Sequence, residues 1–319
     1  MALLAGVDEA GFGPTLGPLV VSGVMFRVDD DLTHRCLWDA LRQTCCRITN
    51  RKTRRLIIAD SKQLYHAGGT LAPLERAALV MLAVAGLRPT TWRGLVELLA
   101  PLAAESLARY AWYANNVRIP ASEGVGDVAT RANAVRKNAR EQNVEFLGAV
   151  CRPVMEEEFN GLVSRTDNKS VTLQGVTLGI VDRILRATDE KRVRICADRL
   201  GGRIHHRAAL QTAFPEYALQ ILEESAGRSA YRLESSQRVV RIEFVTKGED
   251  HHLPIALASV YSKYLRELYM RSFNTYWSSL DSGLRPTAGY HADAQRWLKD
   301  AAHVIDRFGV DRQKLVRAR

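Results

Sequence analysis

Short apolar segments rich in β-branched residues alternate along this chain with segments of helical spacing, and several of the apolar segments end in an acidic residue. Strands that alternate with helices are typical of α/β domains, in which ligands bind where the strands end. The predicted strands cover residues 3–8, 18–28, 56–59, 144–154 and 193–197, and 229–245 as two strands. The predicted helices cover residues 72–86, 89–115, 168–187, 255–277 and 292–308, with one more inside 204–224. The pattern predicts an α/β fold with its functional site at one edge of the sheet.

The first predicted strand leads into a glycine turn, Gly6-Val7-Asp8-Glu9-Ala10-Gly11-Phe12-Gly13-Pro14. Two adjacent carboxylates repel each other unless a cation or a proton lies between them. Glycine lets a bulky partner approach the backbone closely. Taken alone, such a turn is more often an ordinary solvated turn, because glycine-rich turns are common. The other carboxylates of the chain change this interpretation.

Three predicted strands deliver carboxylates at their ends, namely Asp8-Glu9, Asp60 and Asp198. A further acidic group follows in Thr246-Lys247-Gly248-Glu249-Asp250, directly before the long predicted helix. Four converging carboxylates would bind two Mg²⁺ or Mn²⁺ ions, which prefer oxygen ligands. Two such ions can activate a water molecule and stabilise a leaving oxygen in phosphodiester cleavage. The acidic residues therefore indicate a metal-dependent site.

The 319-residue chain has a formal net charge of +10, which favours a polyanionic partner such as nucleic acid. Its longest apolar run is far shorter than a membrane span, so we expect no membrane association. The five cysteines show no paired spacing, and acidic residues follow the N-terminus too soon for a signal peptide. These features predict reduced thiols, no zinc site and a cytoplasmic location.

Two motifs near the N-terminus are Val7-Asp8-Glu9-Ala10-Gly11, with Gly13-Pro14 and Gly17-Pro18, and Asp60-Ser61-Lys62. They resemble the opening motif and the second motif of type 2 ribonucleases H, the HII and HIII enzymes. The stretch 156–160, ahead of a predicted helix, is similar to their acidic-Asn segment. Lys247-Gly248-Glu249, then Ala258-Ser259 and Lys263, resembles their acidic segment and the helix after it, and Gly289-Tyr290 matches a C-terminal pair. The matches keep the order of the family from residue 4 to about 300.

The resemblance implies an RNase H-like fold, with a mixed central sheet flanked by helices and a C-terminal helical region, in one catalytic domain over residues 1–319. It implies an endonuclease that hydrolyses the RNA strand of RNA–DNA hybrids, or ribonucleotides embedded in duplex DNA. We expect the protein to be a monomer. The products would carry 5′-phosphate and 3′-hydroxyl ends, and two Mg²⁺ or Mn²⁺ ions would serve as cofactors.

Carried over residue by residue, Asp8, Glu9 and Asp198 match the first three catalytic and metal-binding acids. The fourth falls on Glu249 when counted back from Ala258-Ser259, but on Asp250 when counted from Pro254. Glu249 is preferred, because Thr-Lys-Gly-Glu is similar to the HIII version of the segment.

The nucleic-acid contacts that the resemblance implies come from the glycine turn, from two lysines and from one tyrosine. The implied residues are Gly11, Phe12, Gly13, Lys62, Lys263 and Tyr290. Tyr290 would stack on the sugar at the ribonucleotide, although a half-buried tyrosine at a helix entry is an equally good interpretation. Asp60 is expected to cap the turn after it rather than to bind metal.

The chain departs from the family at Phe12, where the HII loop has arginine, and in its length. Phenylalanine cannot make the charge-assisted contact of arginine, so the preference for single ribonucleotides over longer RNA is open. Two insertions, roughly residues 88–143 and 201–240, explain most of the extra length. The departures leave two alternatives: a nucleic-acid-binding or repair-accessory protein with this fold, and a nuclease with another substrate such as a DNA junction.

Overall fold

The computed structural model describes residues 1–47, 53–66, 69–122 and 125–318. The strands are β1 Ala2–Ala10, β2 Leu19–Val28, β3 Cys45–Cys46, β4 Leu56–Ile57, β5 Val144–Val154, β6 Arg192–Asp198, β7 Ala218–Glu224, β8 Arg228–Glu234 and β9 Val239–Val245. The helices are α1 Leu37–Ala40, α2 Ser61–Leu64, α3 Ala72–Val84, α4 Trp92–Leu99, α5 Pro101–Ser106, α6 Val128–Glu141, α7 Glu156–Thr166, α8 Lys169–Arg186, α9 Arg207–Ala213, α10 Leu253–Leu280, α11 His291–Asp300, α12 Ala302–Arg307 and α13 Arg312–Leu315. Short 3-10 helices cover Asp30–His34, Leu107–Arg109, Ala111–Tyr113 and Gly248–Asp250.

Seven of the strands form one sheet in the order β5-β2-β1-β6-β9-β8-β7. The pairs β5–β2, β2–β1, β9–β8 and β8–β7 are antiparallel, whereas β1–β6 and β6–β9 are parallel. The mixed central sheet flanked by helices is therefore confirmed. Because β1, β6 and β9 run in the same direction, their carboxyl ends meet at one edge of the sheet.

The sheet separates two hydrophobic cores because side chains alternate between its faces. In β1, Leu3, Ala5 and Val7 belong to the core that α7, α8 and α9 cover. Leu4 belongs to the other core, together with residues of α3, α4, α6 and α10. Both faces of β1 are thus buried, which explains why its sequence is apolar up to Asp8.

Helix α10 lies directly on β1 at Gly6. A Cβ atom at this position would lie 2.1 Å from the carbonyl carbon of Pro254, so a residue larger than glycine would push the helix away. Pro254 is in the first turn of α10, where proline fits because no intrahelical N–H donor is needed there. Farther along the helix, the Ser262 hydroxyl donates to the backbone carbonyl of Asp8 at 2.9 Å. These contacts fix the end of β1 against α10.

Several predicted segments differ from the structure; the predicted helix 292–308, for example, is two helices, α11 and α12. The segment 89–115 is not one helix but α4, α5 and two 3-10 turns, because Pro101 disfavours helical geometry at Ala100, whose φ and ψ are −145° and 58°. The prediction of a helix inside 204–224 holds for α9, but residues 218–224 form β7. This edge strand is largely exposed and lacks apolar alternation, so only its pairing with β8 reveals it.

The stretch 156–160 does not precede a helix but forms the first turn of α7. Whether residues 88–143 and 201–240 are insertions stays a prediction. Their described parts contribute α4, α5 and α6 to one core, and β7 and β8 to the sheet. Among the described helices, none combines the length and the apolar character that a membrane crossing requires.

Candidate active site

Two of the predicted carboxylates lie side by side at the carboxyl ends of β1 and β6. Val7 pairs with Ala197 in this parallel ladder, and Asp8 and Asp198 are the next residues on each strand. The Asp8 side chain is buried, and burial together with repulsion from Glu9 and Asp198 raises its pKa well above the usual value. A hydrogen bond from Ser259 opposes this shift. The fold therefore brings together two acids that are far apart in sequence.

Glu9 belongs to the same electrostatic group, although neighbouring strand residues point to opposite faces. Burial raises the pKa of Glu9 to about 7, and the negative charges of Asp198 and Glu249 add to the shift. The positive charge of Lys62 acts in the opposite direction. At neutral pH, Glu9 is thus close to its protonation midpoint when no counter-ion is bound.

Glu249 reaches the group from the 3-10 turn that follows β9. Lys247 adopts a left-handed conformation with φ 53°, and the next N–H group, that of Gly248, donates to Asp198 Oδ1 at 2.9 Å. Burial raises the pKa of Glu249 to about 7, with repulsion from Asp198 adding to it. Its Oε2 atom is buried without a hydrogen-bond partner among the described residues.

Asp250 lies on the outside of this turn. Its side chain is exposed and accepts a hydrogen bond from Gln63 at 3.4 Å, while its backbone carbonyl accepts one from Arg47 at 2.9 Å. Of the two acids left open by the sequence, Glu249 is the one that interacts with Glu9 and Asp198.

Asp60 caps α2, as expected, because its Oδ1 accepts the backbone N–H of Lys62 at 3.1 Å. The Lys62 side chain extends from this turn toward the carboxylates. Partial burial lowers the pKa of Lys62, but the charges of the surrounding acids, first Asp60 and Glu249, outweigh this and raise it. Lys62 therefore stays protonated beside the acidic group.

Two arginines, Arg266 and Arg317, contact the glycine turn, and neither was predicted from the sequence. Gly11 has φ +86°, and a Cβ atom there would lie 2.6 Å from Nε of Arg266. The Arg317 side chain donates to the carbonyl oxygens of Gly11 and Phe12, the second at 3.1 Å. Arg266 could have been noticed as a charge on the apolar face of a long helix, but no sequence signal marks Arg317.

The predicted nucleic-acid-binding residues line an open groove of about 1150 Å³ next to Glu9. They are Gly11, Phe12, Gly13, Lys62, Lys263 and Tyr290. Phe12 also packs partly against the core beneath α7 and α8. At Gly13, apart from its chain neighbours, no heavy atom of the described residues lies within 4 Å of a Cβ position. A ligand could thus approach the backbone at Gly13 closely.

Two of these residues have partners within the protein. Lys263 Nζ lies 2.6 Å from Glu267 Oε1 and 5.1 Å from the centre of the Tyr65 ring, so its charge is largely compensated. The Tyr290 side chain is 50% exposed, and the Arg266 guanidinium lies 5.7 Å from its ring centre. Tyr290 therefore lies at the entry of α11 with its ring exposed to the groove, and its stacking on a sugar stays a prediction.

Glu156 supports the far end of the glycine-rich segment from inside the protein. It is fully buried, and its Oε1 accepts the backbone N–H of Gly17 at 3.1 Å and the hydroxyl of Tyr113 at 2.9 Å. Its Oε2 has no hydrogen-bond partner among the described residues. Burial raises the pKa of Glu156 to about 7.

The four carboxylates suit a hard divalent cation in their chemistry. All donors are oxygen atoms, and their mutual repulsion is only partly offset by Lys62 and Ser259. One buried Glu249 oxygen has no hydrogen-bond partner among the described residues. However, the described residues contain no preformed cluster of three or more His, Cys, Asp or Glu side chains in a metal-binding arrangement. The residues therefore fit Mg²⁺ or Mn²⁺ by type and charge, but in this structure the described side chains do not form a complete set of metal ligands.

No protein-family model and no curated protein sequence matches this chain. Solved structures do. Ribonuclease HII from Archaeoglobus fulgidus, in its complex with PCNA, is 17% identical, with 99% of this chain and 94% of that chain covered and a TM-score of 0.47. Ribonuclease H2 from Pyrococcus horikoshii is 12% identical, with 98% and 92% covered and a TM-score of 0.45. Bst-RNase HIII in complex with Mn²⁺ is 13% identical, with 99% and 66% covered and a TM-score of 0.39.

Proposed function

We propose that this protein is a type 2 ribonuclease H, an endonuclease that hydrolyses the RNA strand of RNA–DNA hybrids or ribonucleotides embedded in duplex DNA. One observation carries the proposal: Asp8, Glu9, Asp198 and Glu249 interact electrostatically at one sheet edge, beside a groove that the glycine turn, Lys62 and Tyr290 line. The products would carry 5′-phosphate and 3′-hydroxyl ends.

Asp8, Glu9, Asp198 and Glu249 would hold two Mg²⁺ or Mn²⁺ ions. Such ions, when bound, activate a water molecule and neutralise charge on the scissile phosphate. The carboxylates must be deprotonated to bind a cation. Since burial raises the pKa of Glu9 and Glu249 to about 7, protonation of these groups competes with the cation at neutral and lower pH.

Residues of the groove would position the substrate. The exposed backbone at Gly13 would contact the strand to be cleaved, and Lys62 would place a positive charge next to its phosphate. The Tyr290 ring, half exposed, would stack on the sugar at the ribonucleotide. Lys263 would contact phosphate through another N–H donor of its ammonium group, beside its ion pair with Glu267.

We also propose that the protein acts as a monomer in the cytoplasm. All five cysteines lie in the described part of the chain and none forms a disulfide there. Burial raises the pKa of Cys45, Cys151 and Cys196 to about 12, so these thiols are poor nucleophiles. Size-exclusion chromatography with light scattering would test the monomer.

The test of the activity uses three labelled duplexes: DNA with one ribonucleotide, an RNA–DNA hybrid, and a DNA junction, each with Mg²⁺ or Mn²⁺. We expect cleavage of a ribonucleotide-containing duplex. Asp198→Asn should reduce its rate by about a thousandfold, because removing a metal-binding carboxylate costs several kcal/mol of transition-state stabilisation. Asp182→Asn, which removes an exposed acid from α8, is the matched control. Binding without cleavage would favour the accessory-protein alternative, and cleavage of the junction alone would favour the altered substrate.

Phe12→Arg tests the departure in the glycine turn. Arginine would add a charge-assisted contact to phosphate that phenylalanine cannot make. We expect a lower KM for the duplex with one ribonucleotide and a smaller change for the continuous hybrid. An unchanged KM for both substrates would show that position 12 does not contact the ribonucleotide.

A further inference from the structure

Three arginines lie side by side on three neighbouring strands of the sheet, β6, β9 and β8. Arg194 of β6 is paired with Arg241 of β9, and Arg241 is paired with Arg232 of β8. Directly paired residues of neighbouring strands share one face, and Arg192 shares it too because it lies two residues before Arg194. We call Arg192, Arg194, Arg232 and Arg241 the arginine face. Like charges at directly opposite positions are destabilising, so this row calls for an explanation.

Carboxylates of the protein compensate part of the charge of these arginines. Glu243 is 1% exposed and lies 3.0 Å from Arg194, 2.5 Å from Arg241 and 2.9 Å from Arg228. Arg232 pairs with Glu234 at 3.0 Å, Arg192 pairs with Asp30, and Arg228 also approaches Glu223. The guanidinium groups therefore outnumber the nearby carboxylates, and a single buried acid serves three of them.

The arginine face forms the wall of a cleft of about 580 Å³ beside the 3-10 helix Asp30–His34. Of the four acids named above, Asp30 is the one that lines the cleft. Glu243 is buried beneath the surface of the cleft. Leu222 and Val239 supply an apolar part of the wall. No described Phe, Tyr or Trp lines the cleft, so it offers charge rather than rings on which bases could stack.

The cleft lies away from the candidate active site along the same strand. Arg192 begins β6 and Asp198 ends it, and six residues of strand span about 20 Å at roughly 3.3 Å each. This distance corresponds to about six steps of a duplex at roughly 3.4 Å per step. The two sites are therefore separate.

We propose that the arginine face is a second nucleic-acid-binding site, which binds backbone phosphates at a distance from the cleavage groove. Guanidinium groups match phosphate geometry and charge, and the net charge of +10 gives the protein a general attraction to polyanions. The site needs neither the carboxylates nor cleavage, so it stands independently of the proposed ribonuclease activity.

The test measures binding of the full-length protein to a fluorescein-labelled 30-base-pair DNA duplex in EDTA, by fluorescence anisotropy at several NaCl concentrations. This duplex has no ribonucleotide, and cleavage plays no part in the readout. Each lost phosphate contact reduces the slope of log K against log salt by about 0.9. For Arg232→Gln/Arg241→Gln we therefore expect a slope shallower by about 2 and weaker binding at every salt concentration.

The matched control is Arg186→Gln/Arg207→Gln, which removes the same charge from exposed positions on α8 and α9, over the opposite face of the sheet. It should bind with nearly the wild-type slope. Equal slopes for the two double variants would overturn the proposal.

Two further measurements keep the test decisive. Arg192→Gln removes a side chain that is 71% exposed and does not contact Glu243, so it probes the site without disturbing the buried ion pairs. It should reduce the slope by about 1 even if the double variant is unstable. A competition experiment tests whether micromolar inorganic phosphate or ATP displaces the duplex. If either does so from the wild-type protein but not from Arg192→Gln, the cleft binds free phosphate compounds, and the backbone assignment is overturned.

Discussion

Glu156→Gln should remove a pH-dependent loss of stability, so the stability of the variant relative to the wild-type protein should rise with pH. Glu156 is fully buried, one of its carboxylate oxygens has no hydrogen-bond partner in the described part of the chain, and burial raises its pKa from 4.5 to about 7. An acid whose pKa is raised by folding contributes stability at pH values below its unfolded pKa and loses it as pH rises through the folded value. The wild-type protein therefore loses stability through this group between about pH 4.5 and pH 7.

The size of the effect follows from the shift. One pKa unit corresponds to about 1.4 kcal/mol, so the complete shift corresponds to about 3 kcal/mol. Between pH 5.5 and pH 8.5 the loss through Glu156 is about 2 kcal/mol, because part of it has already occurred at pH 5.5. Glutamine keeps an oxygen that can accept from Gly17 and Tyr113, but it does not ionise.

The assay is urea unfolding of the metal-free wild-type protein and of Glu156→Gln at both pH values. The absolute difference includes the cost of placing an amide N–H₂ group where the described residues offer no acceptor, so the change of the difference with pH is the diagnostic quantity. Glu158→Gln, in the same helical turn but 36% exposed and paired with Arg152, is the matched control. A difference between wild type and Glu156→Gln that stays constant within 0.5 kcal/mol over this range would refute the reasoning.

Three further predictions concern the turns and arms around the site. Gly289→Ala should destabilise the protein by at least about 1 kcal/mol more than Gly86→Ala. Both glycines have positive φ, but of the two only a Cβ at Gly289 would meet a backbone atom, the Leu16 oxygen at 2.4 Å. Equal changes in Tm would contradict this prediction. Glu249→Gln should reduce the cleavage rate far more than Asp250→Asn, and the reverse order would move the fourth carboxylate to Asp250. Arg317→Met should lower the free energy of unfolding by about 1.5–3 kcal/mol, because the hydrogen bonds that Arg317 donates to the glycine turn are lost. A change below 0.5 kcal/mol would show that Arg317 does not stabilise this turn.

The sequence indicated those features of the fold and the candidate site that depend on the chemical type and spacing of nearby residues. Acidic residues at strand ends located the candidate site, since Asp8 and Asp198 follow paired positions in a parallel ladder. The long helix α10 was evident from its apolar spacing, although its ends extend beyond the predicted 255–277 to residues 253–280. Asp60 was recognised as a cap from its place between a strand and a turn.

Features that depend on distant partners could not be predicted. Residues 218–224 are strand only because β8 offers them a hydrogen-bonding edge. Arg317 is buried against the Phe159 ring, 3.9 Å from its centre, and nothing in its local sequence indicates this environment. Three of the four residues of the arginine face, one each from β6, β8 and β9, lie side by side only because the strand register aligns them. Register is a property of the sheet, and single segments do not reveal it.

The contact of α10 with β1 also determines when the acidic edge can form during synthesis. Ser262 and Asp8, which this contact joins, are separated by 254 positions in the chain. Contacts of such high sequence separation form late, because a long loop must close before they stabilise anything. A nascent chain that has emerged only as far as β6 already carries Asp8, Glu9 and Asp198 but lacks the helix that fixes the end of β1. The acidic edge is therefore completed only after most of the chain has left the ribosome.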